Sequence, residues 1–252
     1  MAKPARHYVA IDEAHELKPQ PPSRWGLWRE ASVALELANL GLRYASLTRH
    51  KSAFAHPVVL FPGFGTDEVA MTVLHHYLKK IGAEVHHWGI GRNHGYVPDL
   101  LTQAMQRVRD FTARGTRVHL VGWSLGGYIA REVARELPDH VATVVTLGTP
   151  VVGGPTFTAV GALYKSWGFD LEAMARDVEN REAVPIQNEI LAIYSKADAV
   201  VDWQACIDRR SPRVTHAEVT GSHLGLVVNA KAFELVRDFL QQERVHTAAD
   251  FP

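Results

Sequence analysis

The chain has 252 residues, 46% of them hydrophobic and 21% charged, with 27 basic side chains balanced by 27 acidic ones. A net charge of zero argues against a nucleic-acid binder, which needs a basic excess. The single Cys206 rules out an intrachain disulfide and a cysteine zinc cluster. No apolar run approaches the roughly 20 residues needed to span a bilayer.

The opening stretch, MAKPARHYVAIDEAHELKPQPP, mixes both charges and holds no continuous apolar segment. No secretory signal is read there, so a cytoplasmic protein is expected. Pro4, Pro19, Pro21 and Pro22 break the stretch, which reads as an arm rather than a packed element. A helix is expected from about Trp28 to Leu47. Ala31, Leu35, Ala38 and Leu42 recur at spacings of three or four, predicting a helix that docks on the main body, with membrane or partner contact as the alternative. Arg29, Glu30, Glu36, Asn39 and Arg43 interrupt that apolar set.

From His56 onward short β-branched runs alternate with amphipathic helices. Pro57–Phe61 reads as a strand ending in a Gly-rich turn, followed by a helix over Asp67–Ile81 closed by Gly82. Glu84–Trp88 is a second strand, and Pro98 opens a helix carrying Leu101, Met105, Val108 and Phe111, stopped by Gly115. Arg117–Val121 and Val141–Leu147 are strands flanking a helix from about Leu125 to Leu137. Glu189–Tyr194 and Arg213–Val219 complete the set, and Asn229 caps a last helix with Phe233, Val236 and Leu240 on one face. Such alternation with nearly all-apolar strands implies an α/β fold, its mostly parallel sheet covered by helices on both faces. Reactive groups then belong in the crevice at the carboxyl ends of the strands.

Residues 151–188 break the alternation. They include Phe157, Leu163, Tyr164, Trp167, Phe169 and Met174, and the stretch is too long for an ordinary connection. A short helical cap over the site is expected, with a plain packing helix as the alternative.

The strongest local signal is VHLVGWSLGG, a strand running into Gly122-Trp123-Ser124-Leu125-Gly126 and then a helix. A sharp strand-to-helix turn projects the central Ser, while flanking glycines let neighbouring backbone approach. The alternative for Ser124 is a helix N-cap. A Ser hydroxyl needs a base, and the base needs a carboxylate to orient it. His223, in the Gly-Ser-His-Leu-Gly loop after the last strand, is the candidate base. Asp198, directly after a strand in AIYSKADAVV, is the candidate acid. Its competitor Asp202 is better placed to cap the helix at Trp203. The backbone N–H groups of Phe64, in the FPGFG turn, and Leu125 are candidates for holding a developing oxyanion. Lys-Ser/Thr is missing after the FPGFG glycines, and G-x-G-x-x-G is absent, so no phosphate loop or dinucleotide site is read.

The order Ser124, Asp198, His223, with GWSLGG, VVTLGTP, IYSKADAVV and GSHLGL, resembles the α/β-hydrolase superfamily, and within it the small bacterial lipases and esterases. The resemblance covers roughly four-fifths of the chain. It implies an α/β-hydrolase domain over 56–252, in which 151–188 is read as a cap or lid; the arm and docking helix read over 1–55 are not explained by it. It also implies Ser124 as nucleophile, Asp198 as acid, His223 as base, and Phe64 and Leu125 as oxyanion donors. Where many lipases carry His before the oxyanion Gly and before the nucleophile, this chain has Pro62 and Trp123. Trp123 is expected to pack beneath the elbow.

The activity so implied is hydrolysis of carboxylic esters or lipids by way of an acyl-enzyme, with no cofactor and no metal. Amide, thioester or acyl-transfer chemistry with the same residues stays open, as does silent ligand binding on the scaffold and the oligomeric state. The loop Gly91-Arg92-Asn93-His94-Gly95 is expected either to border the pocket or to supply supporting hydrogen bonds. His75-His76 and His86-His87 place neighbours on different faces, which argues against a metal site. Cys206 is expected to be a buried small side chain.

Overall fold

A computed structural model describes residues 8–9, 11, 17–49, 51, 53–113 and 115–241. Its sheet contains β1 (Tyr8–Val9), β2 (Val58–Phe61), β3 (Val85–His87), β4 (Val118–Trp123), β5 (Val141–Leu147), β6 (Glu189–Tyr194) and β7 (Val214–Glu218), in the order β1-β7-β6-β5-β4-β2-β3. All neighbours are parallel except β1, which pairs antiparallel with β7 through Tyr8↔Ala217 and Val9↔His216. Every residue of β2, β4 and β5 is buried. That is why these strands read as continuous apolar runs rather than alternating ones.

The helices are α1 (Val33–Leu47), α2 (Thr72–Ile81), α3 (Val97–Thr112), α4 (Leu125–Glu136), α5 (Gly161–Ser166), α6 (Leu171–Glu182) and α7 (Ala230–Gln241). Leu74, Tyr77, Leu78 and Ile81 of α2 pack with Phe233, Val236 and Leu240 of α7 against one face of the sheet. Leu100, Ala104 and Val108 of α3 and Ile129 and Val133 of α4 cover the other. Gly82 ends α2 at φ 110°, a left-handed C-cap whose N–H bonds back to Leu78 and Lys79 carbonyls.

The N-terminal region departs from its sequence expectation in two ways. Tyr8–Val9 is a strand, and Lys18 and Gln20 donate backbone N–H groups to the side chains of Gln204 and Asp202. The stretch is therefore tied to the body at these points, because β7 would otherwise present an unpaired edge. Pro4 and most of the remaining arm lie outside the described residues.

The second departure concerns α1, which a 3-10 segment over Arg24–Ser32 precedes. The stripe expected to dock points to solvent, with Leu35 73% and Leu42 87% exposed. Docking uses Leu40 and Leu47, together with the carboxylates of Glu30 and Glu36. The surface beneath this segment offers unpaired backbone N–H groups, and these select acceptors over methyl groups.

Candidate active site

β4 enters the elbow fully buried and stops at Trp123. Ser124 takes φ 54° and ψ −125°, the one positive φ of a non-glycine among the described residues. A conformation of that kind costs about 1–3 kcal/mol and persists only where neighbours enforce it. Here the Ser124 N–H donates to Leu147 O at 2.8 Å, and its carbonyl accepts from Gly127 N at 3.0 Å and Thr149 Oγ1 at 2.9 Å. The turn is thus pinned to β5 and to the first turn of α4. A Cβ on Gly126 would collide with the carbonyl oxygens of Phe61 and Pro62, and one on Gly122 with the Gly127 backbone. Ser124 stands at the N-cap position of α4, but its side chain makes no capping hydrogen bond.

Twenty-five residues apart in sequence, Asp198 and His223 meet: Asp198 Oδ2 lies 2.7 Å from His223 Nδ1, and both side chains are almost fully buried. Asp198 is itself fixed, because its Oδ1 accepts from Val200 N and Val201 N, each at 2.8 Å. A carboxylate at Nδ1 selects the tautomer protonated there and leaves Nε2 as the basic nitrogen. The His223 ring packs on Trp123 with centroids 5.4 Å apart, and the indole N–H donates to His223 O at 3.1 Å. Trp123 also fills the space where Gly63 would carry a Cβ. It therefore joins the FPGFG turn, the elbow and the His223 loop. Asp202 lies apart from the pair, capping Trp203–Cys206 through Gln204 N at 2.9 Å.

Two residues that sequence reasoning passed over complete the support. Glu30 is buried, and its Oε1 accepts from Ala199 N at 3.0 Å and His223 N at 3.1 Å, while Oε2 accepts from Leu224 N at 2.8 Å. One carboxylate thus ties the loop bearing Asp198 to the loop bearing His223. Glu36 extends the clamp by accepting from Ser222 N at 2.9 Å and Ser32 Oγ at 3.0 Å. A third tie runs from Ser195 Oγ to Gly221 O at 2.6 Å. The available signal was compositional. Glu30 and Glu36 are the only acids from Arg24 to Arg49, and the Gly-Ser-His-Leu-Gly loop supplies N–H donors with no carboxylate of its own.

Phe64, Ser124 and Leu125 line one cavity of about 740 Å³. Its walls are largely apolar, including Leu101, Met105, Val160, Phe169 and Met174, with Asp177, Asn180 and Arg181 among the polar groups. Asn93, fully buried, holds the turn beside it: its side-chain amide donates to Pro62 O at 2.9 Å, and its carbonyl accepts from Gly65 N at 2.7 Å. Gly95 reaches the cavity wall, so the 91–95 loop both borders the pocket and braces it.

From the 151–188 insert, Tyr164 and Trp167 lie against Phe64 with ring centroids 5.2 and 5.9 Å away. Burial pushes the Tyr164 phenol up to about 12, so it stays neutral in the wall. The insert is anchored behind the elbow. Arg131 of α4, fully buried, bonds Glu182 of α6 and Asp208, each at 2.9 Å, and Arg135 adds a 2.7 Å contact to Glu182.

The remaining candidates lie elsewhere. His75 of α2 stacks on His87 of β3 at 4.5 Å between centroids. Among the described residues no group of three or more His, Cys, Asp or Glu side chains is arranged to hold a metal ion. Cys206 is buried, and burial pushes its thiol well above the usual range.

A buried parallel sheet, an elbow at the carboxyl end of its β4 and a His–Asp pair on later loops define the α/β-hydrolase class. The chain belongs to the palmitoyl protein thioesterase family, whose model matches residues 57–197. Solved structures share the fold at low identity. A structure reported for the metagenome-derived lipolytic enzymes LipS and LipT is 14% identical with a TM-score of 0.60, covering 77% of this chain and 96% of that one. A monoacylglycerol lipase from Paleococcus ferrophilus is 17% identical with a TM-score of 0.57, covering 75% and 96%. Mouse α/β-hydrolase domain-containing protein 10 is also 17% identical, with a TM-score of 0.51 and coverages of 75% and 89%.

Proposed function

We propose that the protein is a serine hydrolase that cleaves carboxylic esters of apolar acyl groups through an acyl-enzyme intermediate. The observation that carries this is the 2.7 Å Asp198–His223 contact packed on Trp123, the residue before the strained Ser124. In this scheme His223 Nε2 takes the Ser124 proton as Oγ attacks the ester carbonyl. Asp198 holds the Nδ1 proton in place and stabilises the imidazolium. Negative charge developing on the carbonyl oxygen is met by the N–H groups of Phe64 and Leu125, each such donor being worth on the order of 3 kcal/mol. The imidazolium then gives its proton to the leaving alcohol. Water, deprotonated by His223, breaks the acyl–Ser124 bond, and the proton returns to Oγ. No cofactor enters these steps.

Residues 151–188 serve as the cap over the acyl group. The aliphatic and aromatic walls of the cavity favour an acyl chain or a greasy alcohol over a polar substrate. Thioesters are the second reading, favoured by the family match, since the same steps expel a thiolate as readily.

Initial rates on p-nitrophenyl esters from acetate to palmitate, beside a palmitoyl thioester, test both readings. Turnover that rises with chain length and falls about a million-fold in Ser124→Ala supports the proposal. Preference for the thioester at equal chain length selects the second reading. Equal inertness of both proteins on every substrate overturns the first and the second alike.

A further inference from the structure

The outer face of α1 is apolar, and none of the described residues covers it. Of its exposed residues, only Asn39 and Ser46 are polar. Leu35 and Leu42, 73% and 87% exposed, lie seven residues apart on α1 with Ala38 between them, and Trp28, 77% exposed, stands in the 3-10 segment that leads into it. Leu224, next to His223 and bonded to Glu30 through its N–H, is also exposed. Scattered exposed apolar residues need no explanation, but a contiguous stripe does.

Charge decides what covers it. Both acids of the segment, Glu30 and Glu36, turn inward onto backbone N–H groups. Arg29 and Arg49 are exposed at the two ends of the stripe. Pairing with a second copy across a two-fold axis would gather Arg29 of one helix and Arg49 of the other at each end, with no carboxylate of the segment to meet them. A bilayer surface bearing anionic headgroups answers both features at once. Trp and Leu side chains enter the acyl boundary while Arg side chains reach back to phosphates. No helix among the described residues is long and apolar enough to cross a membrane, so the contact is one of lying on the surface.

We propose that the outer face of α1 docks the protein on anionic phospholipid surfaces, with Trp28, Leu35 and Leu42 buried in the boundary and Arg29 and Arg49 at the headgroups. The inference does not rest on the hydrolase proposal, since binding is read without turnover.

Co-sedimentation of the full chain with phosphatidylcholine vesicles, with and without phosphatidylglycerol, tests it. The expected result is binding to the anionic vesicles that weakens at high salt. Leu35→Gln/Leu42→Gln should reduce that binding by about a hundredfold, about tenfold per buried Leu. Arg29→Glu/Arg49→Glu should abolish the preference for anionic vesicles. Both variants should keep the wild-type circular dichroism spectrum and thermal unfolding transition, which shows that they fold. Three results overturn the proposal: binding to neither vesicle, equal binding of wild type and both variants, or a wild-type dimer by light scattering that Leu35→Gln/Leu42→Gln splits without any vesicle binding. The last outcome assigns the face to a second copy.

Discussion

The strand–elbow–helix unit over Val118–Glu136 and the N-terminal segment over Arg24–Leu47 serve the same few atoms by opposite means. The elbow is local. Its strain, its glycines and the Trp123 packing are properties of a dozen consecutive residues and the strands beside them. The N-terminal segment contributes nothing to the sheet, yet its Glu30 reaches Ala199, 169 residues later, and then His223 and Leu224. A nucleophile can be built by local geometry, but two loops from different strand ends must be held in register by something outside both. Here a helix with its acids facing in does that, and its apolar side is left outward.

Substitutions separate the two contributions. The largest effect is expected at the proposed nucleophile and base: Ser124→Ala or His223→Ala should lower turnover about a million-fold, read in the ester assay. Next comes the network behind the elbow. Arg131→Met leaves Asp208 buried without its cation and Glu182 with Arg135 alone, and urea unfolding should show a loss of about 3–5 kcal/mol. Against the upward pull of burial, Arg131 and the backbone N–H groups of Arg210 and Ser211 hold the Asp208 carboxyl down to about 2.

Glu30→Ala should lower kcat about a hundred-fold with KM little changed, because misplacing a catalytic group by an ångström costs on that order. Glu30→Gln, which keeps an acceptor oxygen, should recover part of the loss, and circular dichroism should show both variants folded. Wild-type kcat in Glu30→Ala would mean that the two loops hold each other unaided.

The smallest effect is on acid stability. Burial pushes His216 down to about 4, and its Nε2 accepts from Asp208 N at 3.1 Å, which requires a neutral ring. The folded value lies below the unfolded one, so the unfolded chain binds the extra proton. Stability from this group is complete above about pH 6.5 and is lost as pH falls toward 4. Between pH 7 and 5 the loss should reach about 2 kcal/mol, and His216→Gln should flatten that part of the profile.

Much of this was legible in the sequence. β2, β4, β5 and β6 sit where their apolar runs place them, since strands buried on both faces leave an unambiguous pattern. Ser124, Asp198 and His223 were singled out because each follows a recognisable strand, and the structure brings Asp198 and His223 into contact. Periodicity misled at α1. Ala31, Leu35, Ala38 and Leu42 mark an apolar face correctly, but a pattern states which side is apolar and not which side is covered. Glu30 and Glu36 were noted as interruptions, because a carboxylate that accepts from distant backbone leaves no local trace. The two-residue β1 was missed for a related reason: Tyr8 and Val9 are held by the register of β7 rather than by any run of their own.

Fluorophosphonate labelling followed by peptide mass spectrometry tests the central claim most directly. The account predicts one adduct, on Ser124, formed rapidly by the wild type, more slowly by Glu30→Ala and not detectably by His223→Ala. An adduct on any other residue, or labelling of Ser124 at the same rate in all three proteins, would contradict it.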